Sequence, residues 1–253
     1  MPRTLKLTLA YDGTDYVGWQ RQPNGPSVQA QLEQALGRIE GRPVRVIGAG
    51  RTDAGVHALG QVASVTLDHG LDVMTLARAL NATLPDDIRV IEVVDAEADF
   101  DARSNAHSKL YRYRIITGPW VSPFERRHVW HVPQVLDCAA MREGGTLLCG
   151  EHDFAAFQAV GGSVKTSIRR IDRIDIDLRR PRELPAVGRS VTIEVEGNGF
   201  LRHMVRIIVG TLIEIGNGRR AVDDVARAIA FGGRTDAGQT APARGLFLVQ
   251  VSY

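Results

Sequence analysis

The chain has 253 residues, of which 44% are apolar and 24% are charged. These proportions are those of an ordinary globular protein with room for a sizeable core. The formal net charge is only +2, so charge alone does not indicate a polyanionic partner. Nearly all positive residues are arginine, whose fork suits phosphates and base edges. A genome-wide preference for arginine codons explains this bias at least as well.

Several other protein classes are disfavoured. The N-terminus alternates apolar and polar residues, unlike a signal peptide, and no segment is apolar enough to span a bilayer. Cys138 and Cys149 show neither a disulfide framework nor zinc spacing. His128 and His131 lack supporting acidic or cysteine ligands, so no metal is expected. We therefore expect a cytoplasmic protein with no membrane partner.

Hydrophobic periodicity predicts interleaved strands and helices throughout the chain. Ser27 and Asp72 are candidate N-caps for two helices in the first half. The predicted strands are Leu5–Tyr11, Gln61–Leu67, Ile88–Val94, Leu110–Thr117, Ile171–Leu178, Ser190–Glu196 and Leu246–Val251. The predicted helices begin at Val28 and after Asp72, then cover Gln134–Leu148, Phe200–Ile215 and Asp223–Phe231. The Pro-rich stretch Arg180–Pro185 is expected to join two strands.

This order favours an α+β fold with helices on one face of a sheet. Two comparable α/β halves are expected, residues 1–105 and residues 106–253. A cleft between similar halves is a common place for a functional site.

The most informative segment places Asp53 in a glycine-rich turn, two residues after Arg51 and four before His57. An aspartate beside glycine usually bonds its own backbone, and the turn alone favours that structural role. A neighbouring arginine keeps a carboxylate ionised, which suits a nucleophile or an electrostatic stabiliser. The hexapeptide Gly-Arg-Thr-Asp-Ala-Gly occurs twice, at Gly50–Gly55 and Gly233–Gly238.

The segment Lys109–Arg114 interleaves aromatic and basic residues on a predicted strand. Tyr111 and Tyr113 share one face, and Arg112 and Arg114 share the other. Such a strand can stack bases and hold phosphates. A core-facing tyrosine pair with a solvated basic face is an equally good interpretation.

The predicted helix Phe200–Ile215 carries Arg202 and Arg206 one turn apart, and His203 neighbours Arg206. Arginines on a mostly apolar helix are costly unless they pair or face a cleft. A buried acidic partner such as Asp53 relieves that cost. Further basic clusters are each expected to be solvated faces, but together they form a footprint for a polyanion: Arg126–His128, Lys165 with Arg169–Arg170, and Arg219–Arg220.

The nonapeptide Gly50–Ala58 resembles the signature of the TruA-type tRNA pseudouridine synthases. The resemblance covers essentially the whole chain. It is carried also by Tyr11–Gln20, Phe100–Arg103, Tyr111–Tyr113, Asp153–Phe157, Phe200–Gly210, and Gly245-Leu246 with the closing strand. It implies the pseudouridine synthase fold, in which the two halves form a continuous, mostly antiparallel sheet with a central active-site cleft.

The resemblance implies isomerisation of uridine to pseudouridine at positions 38, 39 and 40 of the tRNA anticodon arm. It implies no cofactor and no essential metal, and a homodimer that binds tRNA across both subunits. The match places the essential aspartate at Asp53, the active-site tyrosine at Tyr111 and the arginine that pairs with the aspartate at Arg206. It also places a base-flipping arginine at Arg51 and an apolar pocket wall at Leu246.

His57, Arg202 and His203 are further substrate-binding candidates, and Arg202 stands where the family pattern varies. The second hexapeptide departs from the pattern, because Gln239-Thr240-Ala241 follows it, and Asp236 is interpreted as a loop residue. A noncatalytic tRNA-binding or chaperone protein on the same scaffold is the alternative function. An aspartate-dependent nucleosidase is a third.

Overall fold

The computed structural model describes residues 2–161, 166–179 and 188–253. Within these residues, the strands are β1 (Arg3–Tyr11), β2 (Ile47–Gly48), β3 (His57–Leu67), β4 (Ile88–Ala96), β5 (Ser108–Thr117), β6 (Trp130–Val132), β7 (Gly150–Asp153), β8 (Ile168–Arg179), β9 (Ser190–Gly197) and β10 (Leu246–Ser252). The α-helices are α1 (Val28–Glu40), α2 (Val73–Thr83), α3 (Cys138–Thr146), α4 (Met204–Gly216) and α5 (Asp224–Phe231). Lys165 and the predicted connection Arg180–Pro185 lie outside the described residues.

The chain divides into two compact units, one of Met1–His107 with Phe247–Tyr253, and one of Ser108–Leu246. The sequence-based division assigns all residues after 105 to the second half, whereas in the structure the last seven residues belong to the first unit. The reason is strand pairing, because β10 runs parallel to β3 with Phe247 opposite His57.

The first unit is built on a sheet in which β1 pairs antiparallel with both β3 and β4, and β2 pairs antiparallel with β3. Every second residue of β1 from Leu5 to Leu9 is fully buried. The helices contribute leucines to the same core, namely Leu32, Leu36, Leu76 and Leu80. Alternation in the strand and helical spacing in α1 and α2 thus produce one apolar interior.

The second unit contains the antiparallel strand order β5-β9-β8-β7, with β6 parallel to β5. Its core combines β9 with α4, and the fully buried residues include Val191, Ile193, Val195, Ile207, Ile208 and Leu212. The predicted α+β class with mostly antiparallel strands is confirmed in each unit. No helix in the described parts of the chain is long and apolar enough to cross a membrane.

Two helices begin later than the periodicity predicts. Helix α3 begins at Cys138 because the Asp137 side chain accepts hydrogen bonds from the next free N–H groups, those of residues 139 and 140. Helix α4 begins at Met204 because His203 has a φ of 59°, a left-handed conformation that cannot belong to a right-handed helix. The N-caps predicted at Ser27 and Asp72 are confirmed.

Candidate active site

The loop that carries Asp53 joins β2 to β3 in the first unit. Asp53 is half-buried and follows a buried Thr52 and an exposed Arg51. The backbone carbonyl of Asp53 accepts a hydrogen bond of 3.1 Å from the Val56 N–H, which closes a turn. Gly55 completes this turn with a φ of 75°, a conformation that glycine adopts without a Cβ clash. The predicted glycine-dependent turn is confirmed.

A second loop, residues 12–19, holds the backbone beside Asp53. The Trp19 N–H donates to the carbonyl of Thr52 at 3.1 Å. Gly18 has a φ of 111°, and a Cβ at that position would lie 3.1 Å from the carbonyl carbon of Asp53. Only glycine fits this close approach. The sequence motif alone did not reveal this support, because glycine in a loop is common.

Buried side chains also contact the Asp53 loop. The Tyr11 hydroxyl and the Thr52 Oγ1 are 2.8 Å apart, and Gln61 Nε2 donates to the Gly50 carbonyl at 2.9 Å. Burial raises the pKa of Tyr11 to about 12, although hydrogen bonds with Thr52 and Gln61 oppose the shift. Tyr11 is therefore neutral at physiological pH and acts as a fixed hydrogen-bonding group.

His57 is almost completely buried, with 1% of its surface exposed. Its Nδ1 lies 3.0 Å from Asp12 Oδ1 and 3.1 Å from the Gly13 N–H. The two contacts require opposite protonation of Nδ1, because the carboxylate needs a donor and the amide needs an acceptor. The ring stacks on Phe247, with centroids 4.7 Å apart. This location fits a residue that holds the turn at Asp12 and Gly13.

A pocket of about 610 Å³ opens beside the Asp53 loop, between the β2 segment and Trp19. We call it the arginine pocket because Arg21, Arg45, Arg51 and Arg103 line it. Arg21 pairs with the buried Glu33 at 3.2 Å. The other three arginines form no ion pair within the described residues. Sequence reasoning selected only Arg51, since Arg45 and Arg103 are far apart in the chain.

Tyr111 and Tyr113 share a face of β5 in the second unit and are both buried. The Tyr113 hydroxyl donates to the Pro242 carbonyl at 2.7 Å, and burial raises its pKa well above the usual range. Tyr111 packs edge-to-face on Phe200, with ring centroids 5.2 Å apart. Both tyrosines thus face the core of the unit, and the Tyr113 hydroxyl is bonded within it.

The arginines that alternate with these tyrosines are ion-paired. Arg112 Nη2 lies 2.6 Å from Glu194 on the neighbouring strand, and Arg114 Nη2 lies 2.9 Å from Glu125. Their charges are therefore already compensated inside the unit, as in a solvated basic face. Two of the three other predicted clusters contain similar pairs, Arg170 with Asp172 and Arg220 with Glu214.

Arg206 lies on the first turn of α4. Its Nε donates to the Ala241 carbonyl at 2.7 Å, and its own carbonyl accepts from the Ala241 N–H at 3.0 Å. His203, half-exposed, immediately precedes the helix. Leu246 begins β10 and is 5% exposed.

Arg202 does not lie on α4, so the expectation that it shares a helical face with Arg206 is wrong. The helix begins two residues later because His203 interrupts it. The Arg202 guanidinium instead donates to the Val160 carbonyl at 3.0 Å, and its carbonyl accepts from the Ala159 N–H at 3.0 Å. Arg202 is exposed at this position.

The second hexapeptide has a different structure from the first. Arg234–Asp236 forms one turn of 3-10 helix, and the Asp236 N–H donates to the Gly233 carbonyl at 3.0 Å. The Arg234 side chain folds back and donates to the Gly238 carbonyl at 2.8 Å. Asp236 therefore belongs to an internally bonded loop of the second unit, as its interpretation as a loop residue predicts.

The predicted site residues are divided between the units. Asp53, Arg51 and His57 belong to the first, and the second contains Tyr111, Arg202, His203, Arg206 and Leu246.

The chain belongs to the tRNA pseudouridine synthase family, whose model matches residues 8–104 and 146–253. A curated relative, tRNA pseudouridine synthase A of Geobacter sulfurreducens, is 45% identical over 251 residues, which cover 99% of this chain and 100% of the relative. The Myxococcus xanthus protein of that name is 46% identical over 253 residues, or 100% of this chain and 92% of the relative. The Acetivibrio thermocellus protein of that name is 44% identical, covering 99% of this chain and 100% of the relative.

The matched segments include Asp53, Arg206 and Leu246, whereas Tyr111 falls between them. The full-length similarity to the relatives extends across that interval. Both units of the fold are therefore part of the family resemblance.

Proposed function

We propose that this protein isomerises uridine to pseudouridine in tRNA, at positions 38, 39 and 40 of the anticodon arm, with Asp53 as the catalytic residue. The observation that carries the proposal is the braced Asp53 turn within the family's sequence pattern. Full-length relatives named tRNA pseudouridine synthase A support the reaction and the class of substrate.

The reaction is an internal exchange of bonds. The bond from C1′ of the ribose to N1 of the base breaks, the base rotates, and C1′ rejoins through C5. C5 loses a proton and N1 gains one, so no oxidant, reductant or cofactor is needed. The target uridine must leave its stack before a side chain can reach it. Attack of Asp53 on C1′, its addition to the base and a glycal route are each compatible with this balance.

Each remaining candidate has a proposed role. Tyr111 packs on the base and helps to remove the C5 proton, and Arg206 pairs with the side chain of Asp53. Leu246 forms an apolar wall of the pocket, and Arg51 helps to turn out the base. His203 and Arg202 contact the RNA.

His57 acts on the substrate only indirectly in this proposal. Its buried ring contacts the turn at Asp12 and Gly13, so it shapes the loop that supports Asp53. The proposal therefore moves His57 from substrate contact to support of the substrate-binding loop.

The arginine pocket supports RNA binding beside Asp53. Arg45, Arg51 and Arg103 bring three guanidinium groups that have no ion pair in the described part of the chain to one concave surface, and guanidinium groups bind phosphate with two parallel hydrogen bonds. We propose that backbone phosphates next to the target uridine lie here. Replacing each arginine by glutamine is expected to weaken tRNA binding without abolishing it.

We also propose that the protein is a cytoplasmic homodimer and that one tRNA contacts both subunits. The two cysteines are free thiols, which is consistent with a reducing compartment. Sedimentation equilibrium tests the dimer, with and without tRNA. A monomer at all concentrations contradicts this part of the proposal and leaves the isomerase activity unaffected.

One incubation tests the activity. Purified protein is mixed with unmodified tRNA transcripts that carry uridine at only one of positions 38, 39 and 40, and nucleosides are then separated chromatographically. Pseudouridine is expected from each transcript and is absent from a control with cytidine at all three positions. Free uracil would identify a nucleosidase, and binding without any product would identify the noncatalytic alternative.

A further inference from the structure

The side chain of Arg206 is fixed by a segment distant in sequence. Ala241 accepts a hydrogen bond from Arg206 Nε at 2.7 Å and returns one to the Arg206 carbonyl at 3.0 Å. The bond to Nε uses one of the five guanidinium donors. It sets the direction in which the planar group leaves the helix. The position of Ala241 therefore restrains the Arg206 guanidinium at Nε.

Ala241 is the last residue of Gly233–Ala241, which we call the bracing loop. The bracing loop is attached to α4 at two further points beyond Arg206. Gly238 N–H donates to Thr211 Oγ1 at 2.8 Å, and Gln239 N–H donates to Glu214 Oε1 at 2.9 Å. The loop thus follows the helix for about two turns, with contacts at three levels.

The loop lies directly on the helix backbone. A Cβ on Gly238 would be 2.6 Å from Thr211 Cα and 2.8 Å from its amide nitrogen. Real side chains do not tolerate such distances, and helix backbone cannot move aside cheaply. Glycine at this end of the second hexapeptide is therefore required by close packing, and its φ is not left-handed.

A partly buried ion pair holds the other end of the loop. Glu214 and Arg220 are each 17% exposed, and Arg220 Nε lies 3.1 Å from Glu214 Oε2. Arg220 Nη1 donates to the Asp236 carbonyl at 2.6 Å. Glu214 therefore binds Gln239 with one oxygen and, through Arg220, restrains Asp236 with the other.

We propose that the bracing loop positions Arg206 and that Glu214 is a positioning residue for it. The inference rests on the proposed function, in which Arg206 pairs with the catalytic Asp53. The second copy of the hexapeptide thus acts at the same site as the first, by holding the arginine partner of the aspartate in the first copy. Its own aspartate takes no part in the chemistry.

Kinetics of Glu214→Gln test the proposal. Glutamine keeps an acceptor for the Gln239 N–H but removes the negative charge that holds Arg220. Arg220 then no longer restrains the bracing loop at Asp236, so the Ala241 carbonyl at the end of that loop no longer fixes the direction of Arg206. A loss of kcat of about tenfold is expected, with an unchanged KM for tRNA, as for residues that orient a reacting group. Glu40→Gln is the matched control, because the Glu40 carboxylate likewise accepts from backbone N–H groups and pairs with an arginine, Arg42, in the first unit.

A double-mutant cycle with Arg206→Lys separates positioning from general stability. Lysine lacks Nε–H, so Glu214→Gln is expected to have no further effect on kcat in that background. An equal loss of kcat in both backgrounds would overturn the proposal. If Arg206→Lys and Arg206→Ala match the wild-type rate, the catalytic role of Arg206 fails and the positioning role fails with it.

A spectroscopic measurement reports on the contact without using activity. In protein labelled with ¹⁵N-arginine, the Nε–H signal of Arg206 is assigned by its loss in Arg206→Lys. Its hydrogen exchange is expected to be slow in the wild type and at least about tenfold faster in Glu214→Gln, because a broken hydrogen bond exposes the proton. Unchanged exchange would show that the bracing loop does not fix this side chain, whatever the enzyme catalyses.

Discussion

The two copies of Gly-Arg-Thr-Asp-Ala-Gly fold in different ways. In the first, Thr52 is buried against Tyr11 and Arg51 is exposed. In the second, the threonine is exposed and Arg234 folds back onto its own loop. The threonine is therefore the inward-facing residue of the first copy, whereas the arginine is held against the protein in the second. The hexapeptide sequence alone does not determine its structure.

The neighbours of each copy account for the difference. After the first copy, Val56–Ala58 is buried and β3 begins at His57, so the chain enters a sheet directly after the Asp53 turn. After the second copy, Gln239–Ala241 lies along α4 and is bonded to it. A short motif therefore marks a site only together with the tertiary surface that receives it.

Replacing the aspartate of each copy by asparagine is expected to give the largest difference between the two copies, measured as pseudouridine formation. Asp53→Asn is expected to lower pseudouridine formation by at least about 1,000-fold, because an amide replaces the reacting carboxylate. Asp236→Asn is expected to remain within about twofold of the wild type. Both variants are assayed by nucleoside analysis at saturating tRNA.

Binding of tRNA by Asp53→Asn provides the control for folding, and it is expected to match the wild type. Normal product from Asp53→Asn would refute the assignment of Asp53. A large loss from Asp236→Asn would instead move the chemistry to the second copy.

Replacing the last glycine of each copy by alanine is expected to give the next largest difference, measured as the loss of unfolding free energy. Gly238→Ala is expected to destabilise the protein by about 2–3 kcal/mol, because the new methyl group meets the backbone of Thr211. Gly55→Ala is expected to cost about 1 kcal/mol, because a left-handed φ is unfavourable for alanine. Urea unfolding measures both, and a larger cost at Gly55 contradicts the packing argument.

Replacing the arginine of each copy by glutamine distinguishes an arginine that binds RNA from one that stabilises its own loop, through the salt dependence of tRNA affinity. Arg51→Gln is expected to reduce the slope of log affinity against log salt by about 0.9, because one phosphate contact is lost. Arg234→Gln is expected to leave that slope unchanged, since its guanidinium binds carbonyls of its own loop. Titrations of tRNA at several salt concentrations decide the matter, and equal slopes for Arg51→Gln and wild type exclude Arg51 from the phosphate contacts.

Local signals predicted much of this molecule. Alternation located β1 and β5, and the side chains of Ser27 and Asp72 marked two helix starts. The Asp53 turn was predictable because glycine and aspartate have specific turn conformations. In each of these cases the residues that determine the structure lie within a few positions of one another.

Other features depend on contacts between distant residues and could not be predicted. Arg45 and Arg103 reach one pocket from separate segments of the first unit. His203 is left-handed although it is not glycine, so nothing in its identity warned that α4 begins after it. The bonds of Ala241 to Arg206 connect positions whose pairing has no local pattern.

Replacing the threonine of each copy by valine is expected to give the smallest difference, measured as the free energy of unfolding. It tests directly that the threonine is buried in the first copy and exposed in the second. Thr52→Val is expected to destabilise the protein by about 1 kcal/mol, because the bond of 2.8 Å between Thr52 Oγ1 and the Tyr11 hydroxyl is lost inside the core. Gln61 Nε2, 3.4 Å from the same hydroxyl, limits the cost because Tyr11 keeps one partner. Thr235→Val is expected to stay within about 0.5 kcal/mol of the wild type, since Thr235 is exposed. Equal unfolding free energies for the two variants would show that the Thr52 contact adds nothing to the support of the Asp53 loop.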